Sequence, residues 1–153
     1  MKKYLLTITA AVYVLFLACN QVEKPGEDAA SKQEIMTLLQ NQVNAWNQGD
    51  IDGFMAGYWR SDSLRFASGG DVTFGWETTL QRYKKAYPDK ATMGILSFEI
   101  HDITFFSPDA ALAFGKWQLQ RSQDQPSGLF TLILRKMETG WFIVHDHTSS
   151  AKK

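Results

Sequence analysis

Three shortages limit what this 153-residue chain can be. It has one cysteine, Cys19, so it can form no internal disulfide and no thiolate zinc site. It has no net charge, with sixteen basic residues against sixteen acidic, so it offers no general attraction to nucleic acid or anionic lipid. It also has no long hydrophobic run. The only uncharged apolar stretch, "YLLTITAAVYVLFLA" at residues 4–18, has fifteen residues, whereas a spanning helix needs about 20. Internal repeats and low-complexity tracts are missing too. One domain of ordinary size remains, with 44% apolar residues and 13% aromatics. Rings at that density fill a core, and they also line small-molecule cavities.

The N-terminus has a purpose of its own. Met1-Lys2-Lys3 is a short basic start, the apolar stretch has the length of a secretory h-region, and it closes on "FLAC". That pattern resembles the lipobox of bacterial lipoproteins, with Phe16 where leucine is usual. The resemblance implies a signal peptide over 1–18 and acylation of Cys19, which anchors the protein in the lipid bilayer and leaves no free thiol. Asn20 stands where an aspartate would signal inner-membrane retention, so the expected address is the cell envelope, at the outer membrane. Residues 19–30, the lipidated cysteine and the polar "NQVEKPGEDAA", read as a tether.

Residues 31–150 read as the folded domain. Ser31 and Glu34 fit a capping box, and Ile35, Leu38, Leu39, Val43 and Trp46 give the following helix one apolar face. Gly49 suits its end, and Asp50 can cap a short second helix that buries Ile51, Phe54, Met55 and Tyr58. "SGGD" at 68–71 is a turn. Trp76, Leu80, Tyr83 and Tyr87 stripe a third helix, stopped by Pro88. From Ile95 the texture becomes strands: "ILSFEIHDITFF", "ALAFGKWQLQ", "LFTLILRKM" and "WFIVHDHTS". Helices followed by an antiparallel meander predict an α+β domain. The last two strands are apolar on both faces, so something besides the helices, most simply a second copy, should cover the outer one.

At "AWNQGDIDGFMAGYW", "FGWETTLQRY" and "GWFIVHDHTS" the chain resembles the nuclear transport factor 2 and ketosteroid isomerase superfamily. Within it the likeness is to the SnoaL-like bacterial relatives of polyketide cyclases and to the calmodulin-dependent kinase association domain. The resemblance implies a cone-shaped curved antiparallel sheet on N-terminal helices, a pocket between them, and a homodimer. Tyr58 and Asp62 match the family's "Y…D" stretch. The isomerase's carboxylate base would then fall near Phe66-Ala67-Ser68, where no carboxylate stands. A cyclase-like acid and histidine, differently placed, stay open.

The pocket candidates are Tyr58, Trp76, Tyr83, Phe98, Trp117, His145 and His147, with His145 and Tyr58 as acid/base candidates. Asp62, Arg65 and Asp71 sit in polar connections, where solvated or capping roles are usual. Ser97, Glu99 and His101 share a face that is pocket or surface. His145 and His147 share a strand face, with Cβ atoms roughly 6.5–7 Å apart. A metal needs more ligands than that, so none is expected, nor any other cofactor. Strict alternation puts His145 with Trp141 and Ile143, and Asp146 on the opposite face with Phe142 and Val144. Three functions stand open: a membrane-tethered binder of a small, partly apolar molecule, a cyclase-, isomerase- or dehydratase-like enzyme, or a ligand-free assembly module.

Overall fold

The computed structural model describes residues 25–151. The expected signal peptide, Cys19 and the part of the expected tether up to residue 24 lie outside the described residues, and residues 25–30 of that expected tether are helical. Helix α1 runs Pro25–Gln48, seven residues longer at its start than a capping box with Ser31 as N-cap predicts. Proline at a first helical position loses nothing, because its missing N–H would have no partner there. Ser31 therefore sits inside the helix and is buried rather than capping it. The apolar stripe is where expected, with Ile35, Leu39 and Trp46 buried and Leu38 and Val43 packed beside them.

Gly49 takes φ 85°, the left-handed conformation that ends α1 without a Cβ clash. The Asp50 carboxylate then accepts from the Gly53 N–H at 2.8 Å and starts α2, Ile51–Met55. A short hairpin follows, β1 Arg65–Ser68 and β2 Asp71–Phe74, around the foreseen "SGGD" turn. Helix α3 spans Trp76–Ala86 and α4 spans Lys90–Met93, the latter capped by Asp89. The meander is β3 Ile95–Ser107, β4 Ala110–Gln120, β5 Ser127–Met137 and β6 Gly140–Thr148.

These strands form one six-stranded sheet in the order β2-β1-β6-β5-β4-β3. The α+β layout is as predicted, but the sheet is mixed, because β1 lies parallel to β6. The helices cover its inner face. Ile35, Leu39, Met55, Leu80, Ala113, Leu134, Trp141 and Ile143 meet there in one core.

One irregularity decides which side chains face inward. On β5, Ile133 pairs with His145 and Leu134 pairs with Ile143, so Val144 is an extra residue. Such a bulge inverts the alternation beyond it. Leu134 and Ile143 are fully buried, and past the bulge the buried residue is Asp146, opposite buried Leu132. His145 and His147 turn to the outer face. The expected assignment, His145 inward and Asp146 outward, is overturned. The backbone explains where the break falls. Ile143 exchanges bonds with the segment after α2, accepting from the Trp59 N–H at 2.9 Å and donating to the Gly57 carbonyl at 3.0 Å. Two residues later the same strand edge takes up β1, Arg65 beside His145.

Candidate functional site

Between the helices and the sheet's inner face lies a cavity of ≈ 210 Å³. Trp46 of α1, Phe54 of α2, Tyr83 of α3 and Tyr87, which caps α3 at its C-terminal end, wall one side. Phe66 of β1, Phe98 of β3, Trp117 of β4 and Phe130 of β5 wall the other. The rings brace one another edge to face: Trp46 on Tyr87 with centroids 4.7 Å apart, Phe54 on Tyr83 at 5.2 Å, Phe98 on Phe130 at 5.2 Å. Gly115 on β4 makes room for Phe130, since a Cβ there would stand 2.7 Å from the Phe130 Cζ.

The indole N–H groups bond away from the cavity. Trp46 donates to the Met93 carbonyl at 3.2 Å and Trp117 to the Ser149 carbonyl at 3.0 Å. The Gln42 amide donates to the Phe54 carbonyl at 3.0 Å. What polarity the cavity keeps is therefore concentrated on Asp146, Tyr58, Tyr83 and Thr148, with Arg82, Ser68 and Ser150 also in the lining.

Asp146 is 4% exposed and carries the site's chemistry. The Tyr58 hydroxyl donates to its Oδ2 at 2.8 Å and the Thr148 hydroxyl to its Oδ1 at 2.6 Å. Burial pushes its carboxyl up to about 6, against the pull of those two donors and, more weakly, of His147. Burial and then the negative charge of Asp146 hold the Tyr58 and Tyr83 phenols well above their ordinary value, so both stay neutral donors. A buried carboxyl that changes charge near neutrality, fixed by two hydroxyls, can seat a polar ligand group or exchange a proton with it.

The family model of the SnoaL-like domain matches residues 35–152. The chain belongs to the SnoaL-like family. Among solved structures, this SnoaL-like domain is similar to an NTF-2 like protein of unknown function from Shewanella oneidensis MR-1. The two are 44% identical with a TM-score of 0.75, over 77% of this chain and 98% of that one. A nuclear transport factor 2-like superfamily protein from Salmonella enterica is 20% identical, TM-score 0.65, over 82% and 94%. A ketosteroid isomerase-like protein from Erwinia carotovora atroseptica is 19% identical, TM-score 0.64, over 79% and 96%. At such identities the last two show the shared cone fold alone. Among curated proteins, none matches the chain.

Of the residues singled out in the sequence, the SnoaL-like domain brings Tyr58, Tyr83, Phe98 and Trp117 to the cavity. His145 and His147 lie on the sheet's other side, so His145 is not placed to act on anything in the cavity. Its ring is held below the ordinary histidine value by burial first, then by Arg65 and His147. Trp76 braces the helices instead. Its indole donates to the Met55 carbonyl at 2.9 Å, and the Arg60 guanidinium lies 4.6 Å over its ring. Asp62, Arg65 and Asp71 are exposed. So are Ser97, Glu99 and His101, which settles that strand face as surface; His101 and Glu99 pair there at 3.4 Å. Phe66 and Ser68, where an isomerase base would stand, do line the cavity, without a carboxylate. Among the described residues no group of three or more His, Cys, Asp or Glu is placed to hold a metal.

Asp146 is the residue that sequence reasoning missed. Alternation along β6 argued against it, and the bulge is not written in β6 alone. A hint was present in the polar pair Asp146 and Thr148, which break an otherwise apolar strand on one common face.

Proposed function

We propose that this domain is a small-molecule binder held at the cell envelope, at the outer membrane, by acyl chains on Cys19. A compact, partly apolar ligand enters the aromatic cavity and meets Asp146 and Tyr58. One observation carries the reading: an aromatic-walled cavity of ≈ 210 Å³ with a single carboxylate in its lining, buried among the described residues. A buried charge held by two hydroxyls is costly to a fold and is expected where a ligand uses it. That cost argues against a ligand-free assembly module. The partner of the outer sheet face is a second copy of the chain. Leu112, Phe114, Ile133, Phe142 and Val144 are half-buried there and Leu129 is 45% exposed, which supports a homodimer.

A second reading is an enzyme of the cyclase, isomerase or dehydratase kind. The observation in its favour is the Asp146 carboxyl at about 6, near neutral pH, where a general acid or base works best. Asp146 with Tyr58 would then take the acid/base role first sought at His145.

The test is native mass spectrometry of the full chain for a co-purifying small molecule, repeated on Asp146→Ala and His145→Ala. The reading expects the ligand to be lost from the first variant and kept by the second. Retention by Asp146→Ala with loss from His145→Ala would place the site on the outer face and refute it. Labelled palmitate should mark the parent and not Cys19→Ser, and equal labelling would remove the anchor from the proposal.

A further inference from the structure

We propose that the cavity selects small organic cations: an amine on a compact apolar body, its ammonium group seated on Asp146. This rests on the cavity being the binding site and adds the chemical class of what it binds.

The geometry points to a missing counter-charge. Both oxygens of Asp146 are engaged, by Tyr58 at 2.8 Å and Thr148 at 2.6 Å, and both donors are uncharged hydroxyls. Among the described residues the lysine and arginine ion pairs run elsewhere: Lys84 with Asp52, Arg121 with Asp124, Arg135 with Asp109, Lys136 with Glu34. Arg82 reaches the cavity, but its guanidinium donates to the Thr73 hydroxyl at 2.8 Å and lies 5.1 Å over the Phe66 ring. Its charge is felt at Tyr83 and Tyr87. The remaining basic neighbour, His147, is exposed on the opposite face. An ionised carboxylate removed from water without a cation is strongly unfavourable, and a cationic ligand supplies what the fold omits.

The walls agree with the floor. Ring faces carry partial negative charge and attract a cation that comes within about 6 Å. Phe54 and Tyr58, with centroids 5.9 Å apart, and Phe66 and Tyr83, at 5.5 Å, flank the approach to Asp146. At Asp146 an anion would meet like charge, and a neutral molecule would leave the carboxylate without a counter-charge. Size narrows the choice: at about 30 Å³ per water, ≈ 210 Å³ holds roughly seven water-sized groups, the bulk of benzylamine.

The pH behaviour separates a cation from a neutral acceptor. Tyr58 and Tyr83 stay neutral throughout, so Asp146, titrating at about 6, is the group in the cavity that changes charge. Amine affinity must rise with pH through that value, because benzylamine stays protonated across it. A carbonyl or alcohol that accepted a proton from the neutral acid would show the opposite trend.

The experiment is calorimetric titration of the full chain in detergent with benzylamine, its neutral isostere benzyl alcohol, and benzoate, at pH 7.5 and pH 5. The proposal expects benzylamine to bind at least about tenfold more tightly than either other probe at pH 7.5, and to weaken about tenfold at pH 5, where roughly a tenth of the carboxyl is ionised. Asp146→Asn should abolish both the preference and the pH dependence. Equal binding of benzyl alcohol or benzoate overturns the cation selectivity and leaves the binding site standing. So does a preference that survives Asp146→Asn. If none of the three probes binds, the cavity is not a site for molecules of this size, and both readings fall.

Discussion

Asp146→Asn should make the unliganded protein more stable at neutral pH, although it removes a buried residue held by two hydrogen bonds. The carboxyl titrates at about 6 in the fold against an ordinary 3.8. A folded value raised above the unfolded one means that the folded state holds the proton longer. Stability is therefore fully present below about pH 4 and declines as pH rises to 6, where the unfolded chain ionises more readily. The difference costs the ionised fold about 3 kcal/mol at pH 7. Asparagine removes the charge but turns an N–H₂ toward one of the two hydroxyls, which forfeits about 1 kcal/mol. The net gain is about 1–2 kcal/mol, a rise of roughly 2–8 °C in melting temperature for a domain of this size. Thermal unfolding of parent and variant at pH 7.5 and pH 4 checks it, with the gain expected at pH 7.5 and absent at pH 4. Destabilisation of the variant by the same amount at both pH values would show that burial does not penalise the charge, and the reasoning would fail.

Tyr58→Phe removes one donor from the ionised carboxylate, a loss of about 1.5–3 kcal/mol at pH 7.5 that shrinks at pH 4, and chemical denaturation at the two pH values reads it. Gly115→Ala places a Cβ 2.5 Å from the Glu99 carbonyl oxygen and 2.7 Å from Phe130, so Phe130 must move into the cavity. It should cost about 1–3 kcal/mol and weaken any cavity ligand, seen as a lower melting temperature with a smaller ligand-induced shift. His145, held below the ordinary 6.5 by burial, disfavours the fold when protonated. Parent protein should thus lose part of its stability as pH falls below 6.5, and His145→Ala should remove that component.

The helices could be read closely because their signals are local. A 3.6-residue stripe named Ile35, Leu39 and Trp46, and Gly49 and Asp50 marked one end and the next beginning through their own backbone and side chain. The four long strands followed from composition and turn residues. What escaped depends on partners far away in sequence. The β1–β2 hairpin is two strands of four residues in a polar stretch, and β1 is held by pairing to β6 some eighty residues later. The bulge at Val144 exists because β6 meets two different segments along one edge, a condition invisible in "WFIVHDHTSS" itself. One extra residue was enough to exchange Asp146 for His145 at the cavity. Tyr83 sits on α3 as its helical stripe foretold, whereas Tyr58, expected on the second helix, lies three residues past the end of α2 in a bridge to Ile143 and still reaches the cavity.

The account turns on Asp146 being the buried carboxyl of the cavity and His145 lying outside it. Carbon-detected NMR of the side-chain carboxyl of Asp146 across pH 3 to 8, on the parent protein without ligand, addresses that directly. The account predicts a midpoint close to 6. A midpoint at or below the ordinary 3.8 would mean a carboxylate facing water or a cation, and would contradict the inverted face on which the site is built.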